Sequence, residues 1–281
     1  MVLESIIDPR RMEKTPQEMF LFGLCYSSFA IILSIIIGGS YSGLISVFLT
    51  TMPLIIVMSR TLRIEEEKYF REHEERFLIK EHSEALSMFI YLFLGMLMSY
   101  SLWATFLPDD MLGVIFDVQL GYLERGNIDN FGSILENIPE LSSILINNFR
   151  VLFLCILFSF LYGAGAIFIL TFNASIIGVY IGMFIRNSIA TGADITHIGF
   201  LYNYFHSASI GFSCLIHGIP EISAYFLGAL GGGIISVAVT NHDFRTDEFR
   251  HIVKDSVDLI LLSCLVLIIA AVIEVYVTPN L

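Results

Sequence analysis

The sequence predicts an all-α protein, a polytopic transmembrane helical bundle of about six to seven spans with one re-entrant or interfacial segment. Three observations carry this reading. Of 281 residues, 56% are hydrophobic and 15% are charged, whereas a soluble domain holds about 25% charged residues. The mean hydropathy is +0.76. Long uncharged runs recur along the chain, and about 20 apolar residues in a helix cross a bilayer. So apolar a chain does not stay open and solvated, which excludes disorder as well as an ordinary soluble globule.

The elements follow in order. Met19 to Ser59 lacks Asp, Glu, Lys and Arg and is broken by Gly38-Gly39-Ser40-Tyr41-Ser42-Gly43. This predicts a helical hairpin over 19–59, with helices at about 19–38 and 43–59. Thr15-Pro16-Gln17-Glu18 supplies an N-cap, a proline at the first helical position and a capping-box glutamate. There is no cleavable signal pattern, so this first run is expected to stay as an anchor. Residues 60–84 are dense in charge, with Glu67/Arg71 and Glu72/Arg76 as favourable i,i+4 pairs. They predict a charged cytoplasmic helix, either a helix extension past the membrane surface or a docking surface for a partner.

Ala85 to Leu107 forms a third uncharged span of 23 residues. The segment 108–148 carries seven acids and one base, Arg125, and is expected to be an external acidic segment. Within it, Ser133-Ile134-Leu135-Glu136 opens an amphipathic run that should lie against the bundle or the interface, with Pro139 early in it. Val151 to Ile185 is uncharged over 35 residues, too long for one straight span. The break is expected at Thr171-Phe172-Asn173-Ala174-Ser175, giving a span at about 150–171 and a short apolar segment at about 174–186. Further spans follow near 219–240 and at 256–277. The whole chain, 1–281, reads as one integral membrane domain, with a glycine-rich part over 149–240.

Basic residues cluster before the first span, between the second and third, and before the last. Lysine and arginine mark cytoplasmic loops. The N-terminus is therefore expected in the cytoplasm and the C-terminus outside the cell membrane, after about seven crossings. One apolar segment of 172–218 would then be re-entrant or interfacial.

Net charge is −12, from 15 Lys+Arg and 27 Asp+Glu, which excludes a nucleic-acid partner. Cys25, Cys155, Cys214 and Cys264 lie in apolar runs without a metal spacing and read as buried hydrophobes. His197, His206 and His217 are 9 and 11 residues apart, which fits no metal template. No nucleotide, hydrolase or metalloprotease motif appears, so neither a metal nor a cofactor is expected, and no enzyme.

The segment His217-Gly218-Ile219-Pro220-Glu221-Ile222 is the candidate functional motif. Pro220 suits a helix start and Gly218 a sharp entry, which would set Glu221 in the first helical turn. Ionisable groups at membrane depth usually face the bundle interior. The motif is either a polar site or a self-satisfied cap, with Arg186 as a candidate counter-ion to Glu221. Gly163, Gly165, Gly178, Gly182, Gly228 and Gly232 are expected to let helices pack closely, or to act as gating hinges.

Asn148, Gly163-Ala164-Gly165, Phe172-Asn173-Ala174 and Gly178, followed by His217 to Ala224 and Gly228 to Gly233, resemble the stage II sporulation protein M family, in its archaeal branch. The resemblance covers about 148–240 and implies an all-helical membrane protein. It marks Asn173, His217, Gly218 and Glu221 as motif positions. Sporulation members of that family work in a membrane complex with a peptidoglycan hydrolase and a partner protein; that role is not carried over.

The expected function is a non-enzymatic integral membrane subunit or scaffold. Its partners would be the lipid bilayer and other membrane or membrane-associated proteins, and it could self-associate as a homo-oligomer. In this reading 60–84 docks a cytoplasmic partner and 108–148 an external one. The alternative is a small transporter or channel with a polar re-entrant site around His217 and Glu221.

Overall fold

The computed structural model describes residues 15–39, 41–71, 82–125, 138–191, 215–241 and 246–277. Every regular element among them is an α-helix. The helices are α1 (Pro16–Ile37), α2 (Ser42–Arg71), α3 (Ser83–Phe106), α4 (Asp109–Ile115), α5 (Asp117–Arg125), α6 (Ile138–Tyr162), α7 (Ala166–Thr191), α8 (Leu215–Asn241) and α9 (Asp247–Tyr276). All but α4 and α5 are long and apolar enough to cross a membrane, seven in total. Their outward sides carry large apolar residues such as Phe29, Ile36, Phe153 and Leu261, as a lipid-facing bundle requires.

The bundle has two tightly packed groups. In the first, α1, α3 and α7 run parallel. Gly23 and Gly95 bring α1 and α3 together; a Cβ on Gly23 would lie 2.5 Å from the Leu92 carbonyl oxygen, and one on Gly95 2.1 Å from that of Phe20. A Ser28–Ser99 hydroxyl bond of 2.8 Å joins the same pair. Gly178 and Gly182 of α7, four residues apart, do the same against Leu97 and Ser101 of α3. Small residues at this spacing let backbones meet where there is no water to drive association. In the second group α8 packs between α6 and α9. A Cβ on Gly232 would lie 2.7 Å from the Ile156 carbonyl oxygen of α6, and one on Gly231 2.8 Å from that of Ser256 of α9. The α6–α7 hairpin and α2, whose Leu62 meets Gly233 of α8, tie the groups together. The largest buried cluster spans both, with Phe89 of α3 stacked on Phe226 of α8 at 5.0 Å.

Several boundaries differ from the sequence reading. The chain breaks at Gly163-Ala164-Gly165, not at 171–175. Gly163 takes φ +64°, a conformation that glycine adopts at little cost. Helix α7 then runs unbroken through Asn173 and 174–186. Helix α6 begins at Ile138, so the amphipathic run and the fourth span are one continuous helix. Helix α2 continues through the charged residues 60–71. There Glu65 is fully buried and paired with a fully buried His82 at the start of α3, which clamps the α2–α3 connection. Residues 72–81 lie outside the described residues, as do 192–214 with His197 and His206.

The re-entrant or interfacial segment expected within 172–218 falls largely outside the described residues; in the segment expected to be external, α4 and α5 fold back against the bundle. Arg186 of α7 holds Asp109 at the start of α4. Gln119 of α5 reaches Ser175, 11 residues back along α7, a descent of about 16 Å at 1.5 Å per residue. Tyr122 then meets Phe172 edge-on, with ring centroids 6.1 Å apart. The pair thus dips into the bundle between α2 and α7.

Candidate functional site

The α4–α5 dip follows from its apolar stripe. Leu112, Ile115 and Phe116 are buried, and Leu120 and Leu123 pack against the same cluster. These positions recur at helical spacing, and Gln119 falls on the stripe. It is fully buried. Its Nε2 donates to the Gly43 carbonyl at 3.2 Å and to Ser175 Oγ at 3.1 Å. The Gly43 carbonyl can only accept, which fixes the amide orientation. Ser46 Oγ donates to the same carbonyl at 2.8 Å and lies 3.2 Å from the Tyr100 hydroxyl. Ser175 Oγ in turn donates to the Phe172 carbonyl at 2.7 Å. One continuous polar network therefore joins α2, α3, α5 and α7 inside the bundle. Gly43 is the residue that allows it, because a Cβ there would lie 2.2 Å from Gln119 Oε1. That Oε1 and Asp117 Oδ1 are buried with no hydrogen-bond partner among the described residues.

Arg186 forms a separate polar clamp at the end of the bundle where α3 stops. Its guanidinium donates to the Thr105 carbonyl at 3.2 Å and to the Leu107 carbonyl. It also pairs with Asp109 at 2.5 Å. A cation at a helix C-terminus meets the unpaired carbonyls and the negative end of the helix dipole. Arg186 is thus engaged by α3 and α4, and it is not the counter-ion of Glu221.

The His217 motif lies elsewhere, on α8. The helix is already formed at Leu215 and passes through Pro220, so Pro220 does not open it and Glu221 is not in its first turn. A proline inside a spanning helix is tolerated where neighbouring helices re-satisfy the freed backbone. His217 and Gly218 are buried. Glu221 accepts a hydrogen bond from the Tyr225 hydroxyl at 2.5 Å, one turn on. Glu274 of α9 lies close enough for the two carboxyl groups to act on each other. Asn173 is half-buried on α7, apart from this motif.

The predicted packing glycines divide. Gly178, Gly182, Gly228 and Gly232 stand at helix–helix contacts, whereas Gly163 has open space around it and Gly165 meets its own hairpin at Phe158. Sequence reasoning missed Gln119 and Gly43. The signal was present in the stripe from Leu112 to Leu123, which an acid count over 108–148 conceals. Among the described residues, no group of three or more His, Cys, Asp or Glu could hold a metal ion.

Seven long apolar helices with lipid-facing apolar sides define a multi-pass integral membrane protein. The family model for stage II sporulation protein M matches residues 85–279, from α3 to the end of α9, and the chain belongs to that family. It is 33% identical over 176 residues to the uncharacterized protein MJ0793 of Methanocaldococcus jannaschii, a stretch that covers 60% of this chain and 89% of the relative. No solved structure matches it.

Proposed function

We propose that the protein is a non-enzymatic scaffold subunit of the cell membrane, on which other membrane proteins assemble. The observation that carries this is the glycine seam in each helix group. Backbones meet at Gly23, Gly95, Gly178, Gly182 and Gly232 so closely that a single added Cβ would clash. Close-packed interiors switch between discrete arrangements and do not deform continuously. A seam of this kind holds helices in one arrangement, which suits a platform better than a rocking carrier.

Basic residues support a cytoplasmic N-terminus and an external C-terminus, with α4–α5 toward the outside. A cysteine at Ser83 is then labelled from the inside only and one at Asp110 from the outside only. The scaffold reading is tested by co-purification with cross-linking from native membranes. Stoichiometric protein partners are expected, and a chain that is always recovered alone contradicts it.

A second reading, a small transporter or channel, is favoured by one observation: Glu221 is held by the Tyr225 hydroxyl within a helix long and apolar enough to span the membrane. A ligand that raises the thermal stability of the isolated protein in a Glu221-dependent way would support it over the scaffold.

A further inference from the structure

Helix α6 carries an arginine where a membrane protein rarely keeps one. Its inward side is close-packed through Leu152 and Cys155, with Asn148 and Ser159 buried on the same face. Its other side exposes Ser143, Ile146, Asn147, Arg150 and Phe153, with Ile146 and Phe153 each 61% exposed. Arg150 makes no hydrogen bond or ion pair with the described residues, unlike Arg186.

Its depth follows from the hairpin. Arg150 precedes Tyr162 by 12 residues and Gly178 follows Ala166 by 12, so the two are level across the α6–α7 turn. Gly178 in turn meets Leu97 and Tyr100, well inside α3. Arg150 also lies nine residues into the apolar span that starts at Leu141, about 14 Å at 1.5 Å per residue. Half of a hydrocarbon core of about 30 Å is nearly the same depth. A charge there faces either lipid tails, at several kcal/mol, or a partner.

We infer that the outward face of α6 docks a membrane-spanning helix of another protein, one that carries an aspartate or glutamate near mid-membrane opposite Arg150. The inference rests on the scaffold reading and names the chemistry of one partner. Charge complementarity selects the occupant. Lipid phosphates lie beyond the hydrocarbon, a half-thickness away. Among the described residues the acids of a second copy are poorly placed for this role: Glu221 already accepts from Tyr225, and Glu274 lies two residues from the end of α9. Asn147 and Ser143 lie one and two turns from Arg150 on the same face and offer the docked helix hydrogen bonds.

The test uses the full chain in phosphatidylcholine vesicles with a dye-labelled polyleucine transmembrane helix. The probe helix carries one glutamate at mid-depth, or glutamine there as a control, and association is read by energy transfer. The expected result is at least fivefold tighter association of the glutamate helix. The preference should vanish in Arg150→Leu and in Arg150→Gln, both of which keep the thermal unfolding of the parent because Arg150 makes no hydrogen bond or ion pair among the described residues. Equal association of the two helices would overturn the inference and leave Arg150 reaching for lipid phosphate. A preference that survives in both variants would overturn it too. So would Arg150-dependent association between copies without the probe, which would make the occupant a second copy. The probe reads this face alone. A failure here leaves the scaffold reading standing on its co-purification test, and a chain recovered alone leaves the probe result intact.

Discussion

Gln119 and Ser175 are 56 residues apart in the chain and 3.1 Å apart in the bundle. Their bond places α5 deep against α7. If it and the Gly43 contact hold the α4–α5 pair, Gln119→Ala loses two donated bonds and leaves part of the network unpaired. Lost buried bonds of this kind cost about 1–3 kcal/mol. Gly43→Ala attacks the same contact from α2 by overpacking, also at about 1–3 kcal/mol. Because the two changes share one contact, the double variant should lose less than the sum. Thermal unfolding in detergent measures all three.

Arg186 should matter more than its ion-pair partner. Asp109 is 89% exposed, and an exposed pair contributes about 1 kcal/mol or less. Asp109→Asn is therefore expected to be mild. Arg186→Met also strips the Thr105 and Leu107 carbonyls of their donor, so it should cost about 1–3 kcal/mol. Comparable unfolding temperatures for the two variants would show that α3 does not depend on this clamp.

The glycine seams predict a sharp contrast between positions. Gly95→Ala and Gly232→Leu force side chains into backbone, at about 1–3 kcal/mol or more. Gly113 lies within α4 with open space around it. There alanine relieves backbone entropy and should be neutral or stabilising by up to about 1 kcal/mol. Equal losses at all three would mean that the seams are not where the helices meet.

These positions also show what was legible in the sequence. The fold class and the seven spans follow from charge-free runs, because hydrocarbon tolerates little else. Gly178, Gly182, Gly228 and Gly232 could be read from small residues spaced four apart. The α6–α7 break could not be placed: polar Thr171-Phe172-Asn173 looked like a turn, yet hydroxyls inside a bundle bond back to their own helix, as Thr171 does to Ile167. The Arg186 pairing was missed because its partner carbonyls at Thr105 and Leu107 carry no side-chain signature. Gln119 was missed because its neighbours Asp109, Asp110 and Asp117 made a buried stripe look like an external loop. In the sequence Arg150 stands at the edge of an uncharged run, and its depth follows from a helix that begins at Ile138.

At the His217 motif, Glu221→Gln keeps an acceptor for the Tyr225 hydroxyl, so a loss of about 1 kcal/mol or less is expected. Glu221→Arg and Arg186→Glu should be additive when combined, since Arg186 is bound at the end of α3 and not at α8. Recovery of stability in the double variant would show that the two residues do pair.

The central structural claim is that α4–α5 folds back into the bundle and buries Gln119. Accessibility of single cysteines tests it most directly, in a protein whose four native cysteines are replaced by alanine. Cysteines at Asp110 and Val114, both exposed, should react rapidly with a membrane-impermeant maleimide in native membranes. A cysteine at Gln119 should stay protected until the protein is denatured. Labelling of the Gln119 position as fast as that of Asp110 would contradict the account, because α5 would then lie in water and not between α2 and α7.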